Sequence, residues 1–192
     1  MATINNFLSD FMSQNFGTNN IKTDKSIKNA KISIVGTPAV GKTTLSRLIR
    51  GQQISGMYKP TMGFKLGNTN VDGIKFSFWD FGGQKAYLKQ HLSKYVYGSD
   101  IIFVVTDSTP KNVLTTKELV DHSKDLVEDS CEIIAIANKQ DLEGHLAPDR
   151  VEDVLHIPTF PMVAIDKNNR QHMIELISKL MHYVEARKRS EN

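Results

Sequence analysis

The sequence predicts an α/β fold, with a mostly parallel six-stranded sheet, one antiparallel edge strand and helices on both faces. Short apolar runs of the kind found inside parallel sheets alternate with segments of helical periodicity. One pair of runs instead flanks Val71-Asp72-Gly73, a hairpin signal that makes two neighbouring strands antiparallel. The chain has 192 residues, which is enough for one domain with a full hydrophobic core.

The predicted elements follow one another along the chain. Residues 3–16 form an amphipathic helix whose apolar face carries Ile4, Phe7, Leu8, Phe11 and Met12. Residues 17–29 are a polar linker, and the globular domain occupies residues 30–192. Strands are expected at Ile32–Val35, Phe64–Thr69, Ile74–Asp80, Ile101–Thr106, Ile133–Ala137 and Met162–Ile165. Helices are expected at Thr43–Arg50, Leu114–Val127, Pro148–Leu155 and Asn169–Ala186.

The composition excludes several classes of protein. A formal charge of +3 is too small to indicate nucleic-acid binding, so we expect no nucleic-acid partner. A single cysteine, Cys131, leaves no internal disulfide and no cysteine-built zinc site, which fits a reducing, cytoplasmic compartment. No stretch is long and apolar enough to span a bilayer, and neither terminus offers a glycine or cysteine for lipidation. Any membrane contact is therefore expected to be peripheral.

A glycine-rich segment, Gly36-Thr37-Pro38-Ala39-Val40-Gly41-Lys42-Thr43, matches G-x-x-x-x-G-K-[ST] between a predicted strand and a predicted helix. In this context backbone N–H groups converge on phosphates, and the helix N-terminus adds a favourable dipole. Lys42 can reach the β- and γ-phosphates, while the Thr43 hydroxyl can ligate Mg²⁺. The segment predicts a P-loop NTPase fold, although it does not separate ATP from GTP. A chance glycine-rich turn is the weaker alternative.

The segment Asn138-Lys139-Gln140-Asp141 follows the apolar strand Ile133–Ala137, at the carboxyl end where the ligands of parallel sheets lie. The Asp141 carboxylate can accept hydrogens from both the ring N–H and the exocyclic amine of guanine, whereas adenine offers no such pair. Asn138 can bond the base and tie its loop to the P-loop, and the Lys139 stem can lie over the ring. The predicted base is therefore guanine.

Two further segments predict metal and hydrolysis chemistry. In Asp80-Phe81-Gly82-Gly83-Gln84, Asp80 can hold a water on Mg²⁺, the Gly83 N–H can meet a γ-phosphate oxygen and Gln84 can orient the attacking water. Thr61 lies between the P-loop helix and the hairpin, in a loop that needs one hydroxyl for Mg²⁺. The alternatives are a turn whose glycines only supply unusual dihedrals, and a solvated loop threonine.

These segments together define the predicted site. The catalytic residues are Lys42, Gly83 and Gln84, and the metal is held by Thr43, Thr61 and, through water, Asp80. Nucleotide contacts are predicted for Gly36, Pro38, Ala39, Val40, Gly41, Lys42, Thr43, Thr44, Thr61, Gly83, Asn138, Lys139, Asp141, Ala164 and Ile165.

The four motifs together resemble those of the Ras-like small GTPases, over roughly residues 30–186. Within that superfamily the chain is similar to the ADP-ribosylation-factor (Arf) and Arf-like branch, through Pro60–Phe64, Trp79–Gln84, Ile101–Val105 and Asn138–Asp141. The resemblance implies a switch that binds GTP or GDP with Mg²⁺, hydrolyses GTP slowly and engages effectors in the GTP state. It also implies an exchange factor and a GTPase-activating protein as partners, sliding of the hairpin across Phe64–Asp80, and reversible contact of residues 3–16 with membranes in trafficking.

Three positions depart from the family's pattern. Ala2 replaces the glycine that many Arf proteins carry for myristoylation, and Pro38 removes one N–H donor from the P-loop. Val163-Ala164-Ile165-Asp166 stands where the family has an Ala-Thr or Ser-Ala segment; Ala164 can still donate its N–H to the guanine oxygen.

Three alternatives to a membrane-binding switch stay open. Pro38 gives some weight to a GTP-locked scaffold without catalysis, and Asn138–Asp141 argue against a P-loop kinase or ATPase, although the switch ranks ahead of both. Permanent packing of residues 3–16 on the domain would give a soluble switch, although we favour nucleotide-dependent membrane binding. That helix carries no Lys or Arg on its polar face, but Lys22, Lys25 and Lys28 follow it.

Overall fold

A computed structural model of the chain describes residues 2–17, 29–54, 61, 63–71, 74–82 and 85–190. Within these residues the strands are β1 (Asn29–Val35), β2 (Phe64–Val71), β3 (Ile74–Phe81), β4 (Ile101–Thr106), β5 (Glu132–Ala137) and β6 (Thr159–Pro161). The helices are α1 (Ala2–Phe16), α2 (Lys42–Ile49), α3 (Lys85–Val96), α4 (Pro110–Lys124), α5 (Pro148–Leu155) and α6 (Asn169–Ser190).

The described strands form one six-stranded sheet in the order β2-β3-β1-β4-β5-β6. β2 runs antiparallel to β3, pairing from Phe64↔Phe81 to Val71↔Ile74. The other neighbouring strands are parallel to each other. This arrangement confirms the predicted fold class. Because β1, β3, β4 and β5 are parallel, the loops after their carboxyl ends lie along one edge of the sheet.

The sheet has an apolar layer on each face, which is why the central strands are almost continuously apolar. One layer combines inward-facing side chains of the sheet with residues of α1, α2 and α6. The other combines the opposite face with residues of α3, α4 and α5. Every residue of β4 is buried, from Ile101 to Thr106. Helices therefore cover both faces, as the sequence predicts.

The N-terminal helix α1 packs on the domain through its apolar face. Leu8 and Phe11 are buried, and Met12 and Phe16 lie partly buried against the same layer. The Phe11 ring meets Phe160 edge-on at a centroid distance of 5.5 Å. The Phe16 ring meets Tyr183 of α6 in the same way at 4.8 Å. The predicted apolar face of this helix is thus turned inward, while the side chains of Ile4 and Phe7 lie outside the described part.

The last strand is shorter and earlier than the sequence predicts. The structure places it at Thr159–Pro161, whereas the run Met162–Ile165 follows it. Pro158 precedes this strand and Pro161 ends it. The sequence pattern does not predict a strand here because proline cannot donate a hydrogen bond to a neighbouring strand. At a sheet edge that loss is tolerated, and Ala135 N–H still donates to the Pro158 carbonyl at 2.9 Å.

Three helices also differ from the prediction by more than one residue, namely α3, α4 and α6, and α6 ends at Ser190 rather than Ala186. α3 is absent from the prediction, and of its side chains that the structure describes, His91 to Val96, Leu92 and Val96 are buried. α4 begins at Pro110 rather than Leu114, because Thr109 caps it by accepting a hydrogen bond from the Asn112 N–H at 3.3 Å.

The predicted linker, residues 17–29, lies mostly outside the described residues. Gly17 follows α1 with a positive φ of 77°, and Asn29 already belongs to β1. Among the described helices none is long and apolar enough to cross a lipid bilayer.

At the amino edge of the sheet, opposite the loops described below, charged groups hold the end of α6. Arg187 contacts Glu132 at 2.6 Å, and Lys188 contacts Asp100 at 2.6 Å. Asp100 also accepts a hydrogen bond from the Lys31 N–H at 2.8 Å, so the same carboxylate joins β1 to α6.

The hairpin of β2 and β3 carries a stacked aromatic pair on its surface. The rings of Phe64 and Trp79 lie 5.6 Å apart with an interplanar angle of 20°. The Lys31 ammonium lies 5.0 Å from the Trp79 ring centroid, within the range of a cation–π contact.

Candidate functional site

The glycine-rich loop between β1 and α2 has the backbone that its sequence predicts. Gly36 and Gly41 have positive φ values of 150° and 104°. A side chain at Gly36 would meet the Val105 carbonyl, and one at Gly41 would meet the Asn138 amide nitrogen. Ala39 also adopts a left-handed φ of 63°, which costs a non-glycine residue about 1 kcal/mol. Surrounding contacts must therefore hold this loop in shape.

Lys42, the first residue of α2, lies inside the loop and is 6% exposed. Its ammonium donates a hydrogen bond to the Thr37 carbonyl at 2.6 Å. Burial lowers the pKa of Lys42 to about 8, and the charge of Asp80 opposes that shift. Because burial removes water from the Lys42 ammonium, a phosphate bound beside it would stabilise its charge in place of the lost hydration.

Three oxygen-bearing side chains meet at the carboxyl end of β3. The Thr43 hydroxyl donates to Asp80 Oδ2 at 2.6 Å and lies 3.1 Å from the Thr61 hydroxyl. Because Thr43 gives its hydrogen to Asp80, Thr61 is the donor in that second pair. Asp80 Oδ1 is buried and has no hydrogen-bond partner among the described residues. Burial raises the pKa of Asp80, with the Thr43 hydrogen bond acting in the opposite direction. This orphaned carboxylate oxygen beside two hydroxyls suits a hard divalent cation.

The segment after β3 is bonded to the loop that carries Thr61. Gly82 N–H donates to the Gly63 carbonyl at 2.8 Å. A side chain at Gly82 would lie 2.5 Å from the Thr61 carbonyl, so only glycine allows this approach. Gly82 therefore serves close packing and not an unusual dihedral angle, which the alternative interpretation of this turn required.

The loop after β5 is joined to the glycine-rich loop by one buried side chain. Asn138 is 3% exposed and donates from Nδ2 to the Val40 carbonyl at 2.8 Å. Its Oδ1 accepts a hydrogen bond from the Ala164 N–H at 3.0 Å. Asn138 thus connects three loops, after β1, β5 and β6, as a base-binding loop beside a phosphate loop requires.

The comparisons with known proteins show the family. The model of the ADP-ribosylation factor family matches residues 17–186, most of the chain. The chain belongs to the ADP-ribosylation factor family. As a member of this family it is a GTPase that binds GTP and GDP.

Several curated proteins are similar to this Arf family member. The ADP-ribosylation factor-like protein 5 of Caenorhabditis elegans is 33% identical over 69% of this chain and 74% of its own length. The ADP-ribosylation factor-like protein 2 of Arabidopsis thaliana is 31% identical over 71% of this chain and 74% of its own. The ADP-ribosylation factor-like protein 3 of Chlamydomonas reinhardtii is 30% identical over 67% and 72%, respectively.

In this Arf family GTPase the remaining predicted base contacts lie around Asn138. Lys139 has a positive φ of 63°, and Asp141 is exposed. Ile165 is 64% exposed, next to the buried Ala164. The predicted donor to guanine, the Ala164 N–H, is engaged by Asn138 Oδ1 in the structure, so a guanine oxygen would have to share that hydrogen.

Of the other residues predicted to contact the nucleotide or to act in hydrolysis, the structure describes some and not others. Pro38 is exposed in the glycine-rich loop Gly36–Thr43, the predicted phosphate loop, and Thr44 is half-buried one residue after Thr43. Gly83 and Gln84 lie outside the described residues, as do Pro60 and Met62 of the Thr61 loop.

Three polar residues outside the predicted set border the site of this Arf family member. They are Ser108, which is fully buried, Asn112 in the first turn of α4, and Thr37 in the phosphate loop. Ser108 donates to the Asn138 carbonyl at 2.7 Å and accepts a hydrogen bond from Gln140 at 2.9 Å. A usable signal was present, since a polar cluster follows the carboxyl end of the buried strand β4.

Proposed function

We propose that the carboxyl edge of the sheet binds a guanine nucleotide with Mg²⁺, and that the chain switches between GTP and GDP states. The observation that carries this proposal is the meeting of Thr43, Thr61 and Asp80, with one orphaned carboxylate oxygen, next to the buried ammonium of Lys42. Phosphates would lie in the glycine-rich loop beside Lys42. The base would lie against Asn138, Lys139 and Asp141.

The oxygen-bearing side chains of Thr43, Thr61 and Asp80 fit a bound Mg²⁺. Thr43 and Thr61 would supply hydroxyl ligands, and Asp80 would hold a water of the ion. When bound, the ion supplies neutralisation of the phosphate charge.

The switch is proposed to act through the loop of Thr61 and the segment after Asp80. These two stretches are already joined by the hydrogen bond from Gly82 to Gly63. A γ-phosphate contacted by Thr61 and by the Gly83 N–H would therefore order both together, and its loss would release both. Effector proteins would then bind the GTP state preferentially, because a partner with equal affinity for both states shifts nothing.

Hydrolysis is proposed to use Gln84 to orient water, with Lys42 and the Gly83 N–H stabilising the developing charge. We expect an intrinsic rate of about 10⁻⁴ s⁻¹, raised by a GTPase-activating partner, with an exchange factor reloading GTP. Gln84→Leu should retain GTP and lose most hydrolysis in a single-turnover assay. A variant that hydrolyses as fast as the wild type would remove Gln84 from this role.

The base assignment can be tested by reversing a hydrogen-bond pattern. The Asp141 carboxylate would accept two guanine hydrogens, whereas an amide at this position offers one acceptor and one donor. That pattern matches xanthine, which has an oxygen in place of the guanine amine. Asp141→Asn should therefore weaken GDP binding about a hundredfold. The variant should bind xanthosine diphosphate (XDP) in preference to GDP, as measured by competition against fluorescent GDP.

ATP serves as the control in the same assay and should not compete with the wild type. Successful competition by ATP would contradict the proposed base site. A gain of XDP binding is informative because general damage to the protein cannot produce it.

We also propose reversible membrane contact through α1, with a role in membrane recruitment or trafficking. Because Leu8 and Phe11 are buried in the domain, this contact requires the helix to leave its packing site. Liposome co-sedimentation of the GDP form and of a form loaded with a non-hydrolysable GTP analogue tests the proposal. Binding of the analogue form alone, lost in Phe11→Ala, is expected. Absence of binding in both forms would overturn the membrane proposal and leave α1 as a packing element or a site for a protein partner.

A further inference from the structure

The first turn of α4 carries a side chain that bridges β4 to the phosphate loop. Asn112 Nδ2 donates to the Thr37 hydroxyl at 2.7 Å, across 75 positions of sequence. Its Oδ1 accepts hydrogen bonds from the Thr106 hydroxyl at 2.7 Å and from the Asp107 N–H at 3.3 Å. Both ends of one amide are therefore used, one by the loop and one by the strand end.

The orientation of this amide follows from its partners. The Asp107 N–H can only donate, so the atom facing it must be the carbonyl oxygen of Asn112. The Thr106 hydroxyl accepts from the Ser108 N–H at 3.2 Å, which leaves its own hydrogen for Asn112. Nδ2 of Asn112 consequently faces Thr37.

Thr37 connects this bridge to the reactive part of the loop. Its hydroxyl is held by Asn112, and its carbonyl accepts the hydrogen bond of the Lys42 ammonium at 2.6 Å. At the other end of the loop the Val40 carbonyl is held by Asn138. Between these two points lies Ala39 with its left-handed φ of 63°. A backbone held in this sparsely populated region needs fixed points on both sides.

We propose that Asn112 is a positioning residue of the phosphate site, which fixes Thr37 and through it the place of Lys42. This inference rests on the proposed function, because it concerns the same nucleotide site. Asn112 lies in none of the motifs that predict the site, and acts on the nucleotide only through the loop. Without the bridge, the Thr37 end of the loop loosens and bound GDP leaves faster.

The test is a double-mutant cycle on GDP release. Asn112→Ala and Thr37→Val each remove one partner of the bridge, and release of N-methylanthraniloyl-GDP with excess Mg²⁺ is followed by fluorescence. Each single variant should release GDP about fivefold faster than the wild type. The double variant should also be about fivefold faster and not about twenty-five-fold, because both changes remove the same contact.

A matched control separates positioning from loosening of the helix. Thr109→Ala removes the α4 cap, which accepts from the Asn112 N–H, and leaves the Asn112 side chain in place. It should lower the unfolding temperature without changing the GDP release rate. If Asn112→Ala does not fold, Thr37→Val breaks the same bridge from the loop side.

Each outcome decides between the two proposals. The role of Asn112 would be overturned if Asn112→Ala or Thr37→Val released GDP at the wild-type rate, or if the two effects multiplied in the double variant. It would also be overturned if Thr109→Ala accelerated GDP release equally. In each of these cases the proposed nucleotide site would stand. Failure of the wild type to bind the fluorescent GDP would overturn the proposed site, and the role of Asn112 with it.

Discussion

Gly41 lies where the phosphate loop enters α2, with a left-handed φ of 104°. A methyl group here would overlap Asn138 Nδ2, which holds the Val40 carbonyl. We therefore expect Gly41→Ala to push Asn138 away and to weaken GDP binding at least about tenfold in an equilibrium titration, since a buried amide loses its partner.

Gly98→Ala is the matched control for this change. Gly98 has a comparable left-handed φ of 65°, but an added methyl would have nothing within 4 Å. It should cost about 1 kcal/mol of backbone strain and leave GDP binding intact. Equal losses of binding in the two variants would show that strain, and not the collision with Asn138, is responsible.

Cys131 is a second residue with a measurable individual property. Burial raises the pKa of its thiol to about 12 from 9.0, and the carboxylates of Asp100 and Glu132 act in the same direction. At pH 8 the folded thiol should react with a disulfide reagent at least about a thousandfold more slowly than the thiol unfolded in urea, from the difference in thiolate fraction.

The same shift makes stability depend on pH. Between pH 9 and 12 the unfolded thiol loses its proton while the folded thiol keeps it, so the free energy of unfolding falls as pH rises. Cys131→Ala should remove this part of the pH dependence in urea titrations. Rapid labelling of the folded wild type would contradict a buried, protonated thiol.

Among the elements, α1 makes a contribution that can be measured on stability. Phe11 is 4% exposed and packs edge-on against Phe160. Phe11→Ala should cost about 3 kcal/mol through lost burial and a cavity. For a chain of this size that corresponds to a fall of roughly 6–12 °C in the unfolding temperature, measured by scanning fluorimetry.

Ser13→Ala, at an exposed position of the same helix, is its control and should leave the unfolding temperature within about 2 °C of the wild type. A small effect of Phe11→Ala would mean that α1 leaves the domain readily, which would favour the membrane proposal over permanent packing.

The elements also show where sequence patterns are sufficient. Strands with continuous apolar runs, such as β4 and β5, are predicted correctly because burial on both faces fixes their composition. β6 is missed because it needs only three residues at an edge, where Pro161 is tolerated. α3 is missed, and of its side chains that the structure describes, His91 to Val96, two are buried. In each case the missing information is the position of the element in the sheet or against its neighbours.

The residues of the candidate site likewise include some that sequence patterns predict and others that they do not. Contiguous motifs such as Gly36–Thr43 and Asn138–Asp141 reveal themselves because one backbone segment supplies several groups at fixed spacing. The bridge of Asn112 to Thr37 joins residues that are distant in sequence, so that only the sheet order brings them together. The bond of the Ala164 N–H to Asn138 was hidden for the same reason.

At the scale of the whole molecule, the two edges of the sheet carry different groups. The carboxyl edge gathers the phosphate loop, Asp80 and Asn138, while the amino edge gathers ion pairs that hold the end of α6. Arg187→Ala would leave Glu132, 12% exposed, without its 2.6 Å partner. We expect a loss of about 1 kcal/mol in urea unfolding, with unchanged GDP binding, because the site lies at the opposite edge.

Arg150→Ala is the control, because Arg150 and Asp153 form a pair at 3.5 Å whose side chains are 72% and 67% exposed. It should change stability by less than about 0.5 kcal/mol. Equal effects of the two variants would show that the amino edge adds nothing beyond a surface ion pair.

The aromatic pair on the hairpin has a spectroscopic consequence. Trp79 is the single tryptophan of the chain, so emission excited at its long-wavelength edge comes from this one ring. The ring is stacked on Phe64 and lies beside the Lys31 ammonium. Phe64 belongs to the same hairpin and would move with the indole, whereas Lys31 belongs to β1, so sliding of the hairpin against β1 would change the distance from the indole to the Lys31 ammonium and the contact of the indole with water. The unlabelled protein therefore carries its own optical probe of the hairpin, readable in a stopped-flow instrument during nucleotide exchange.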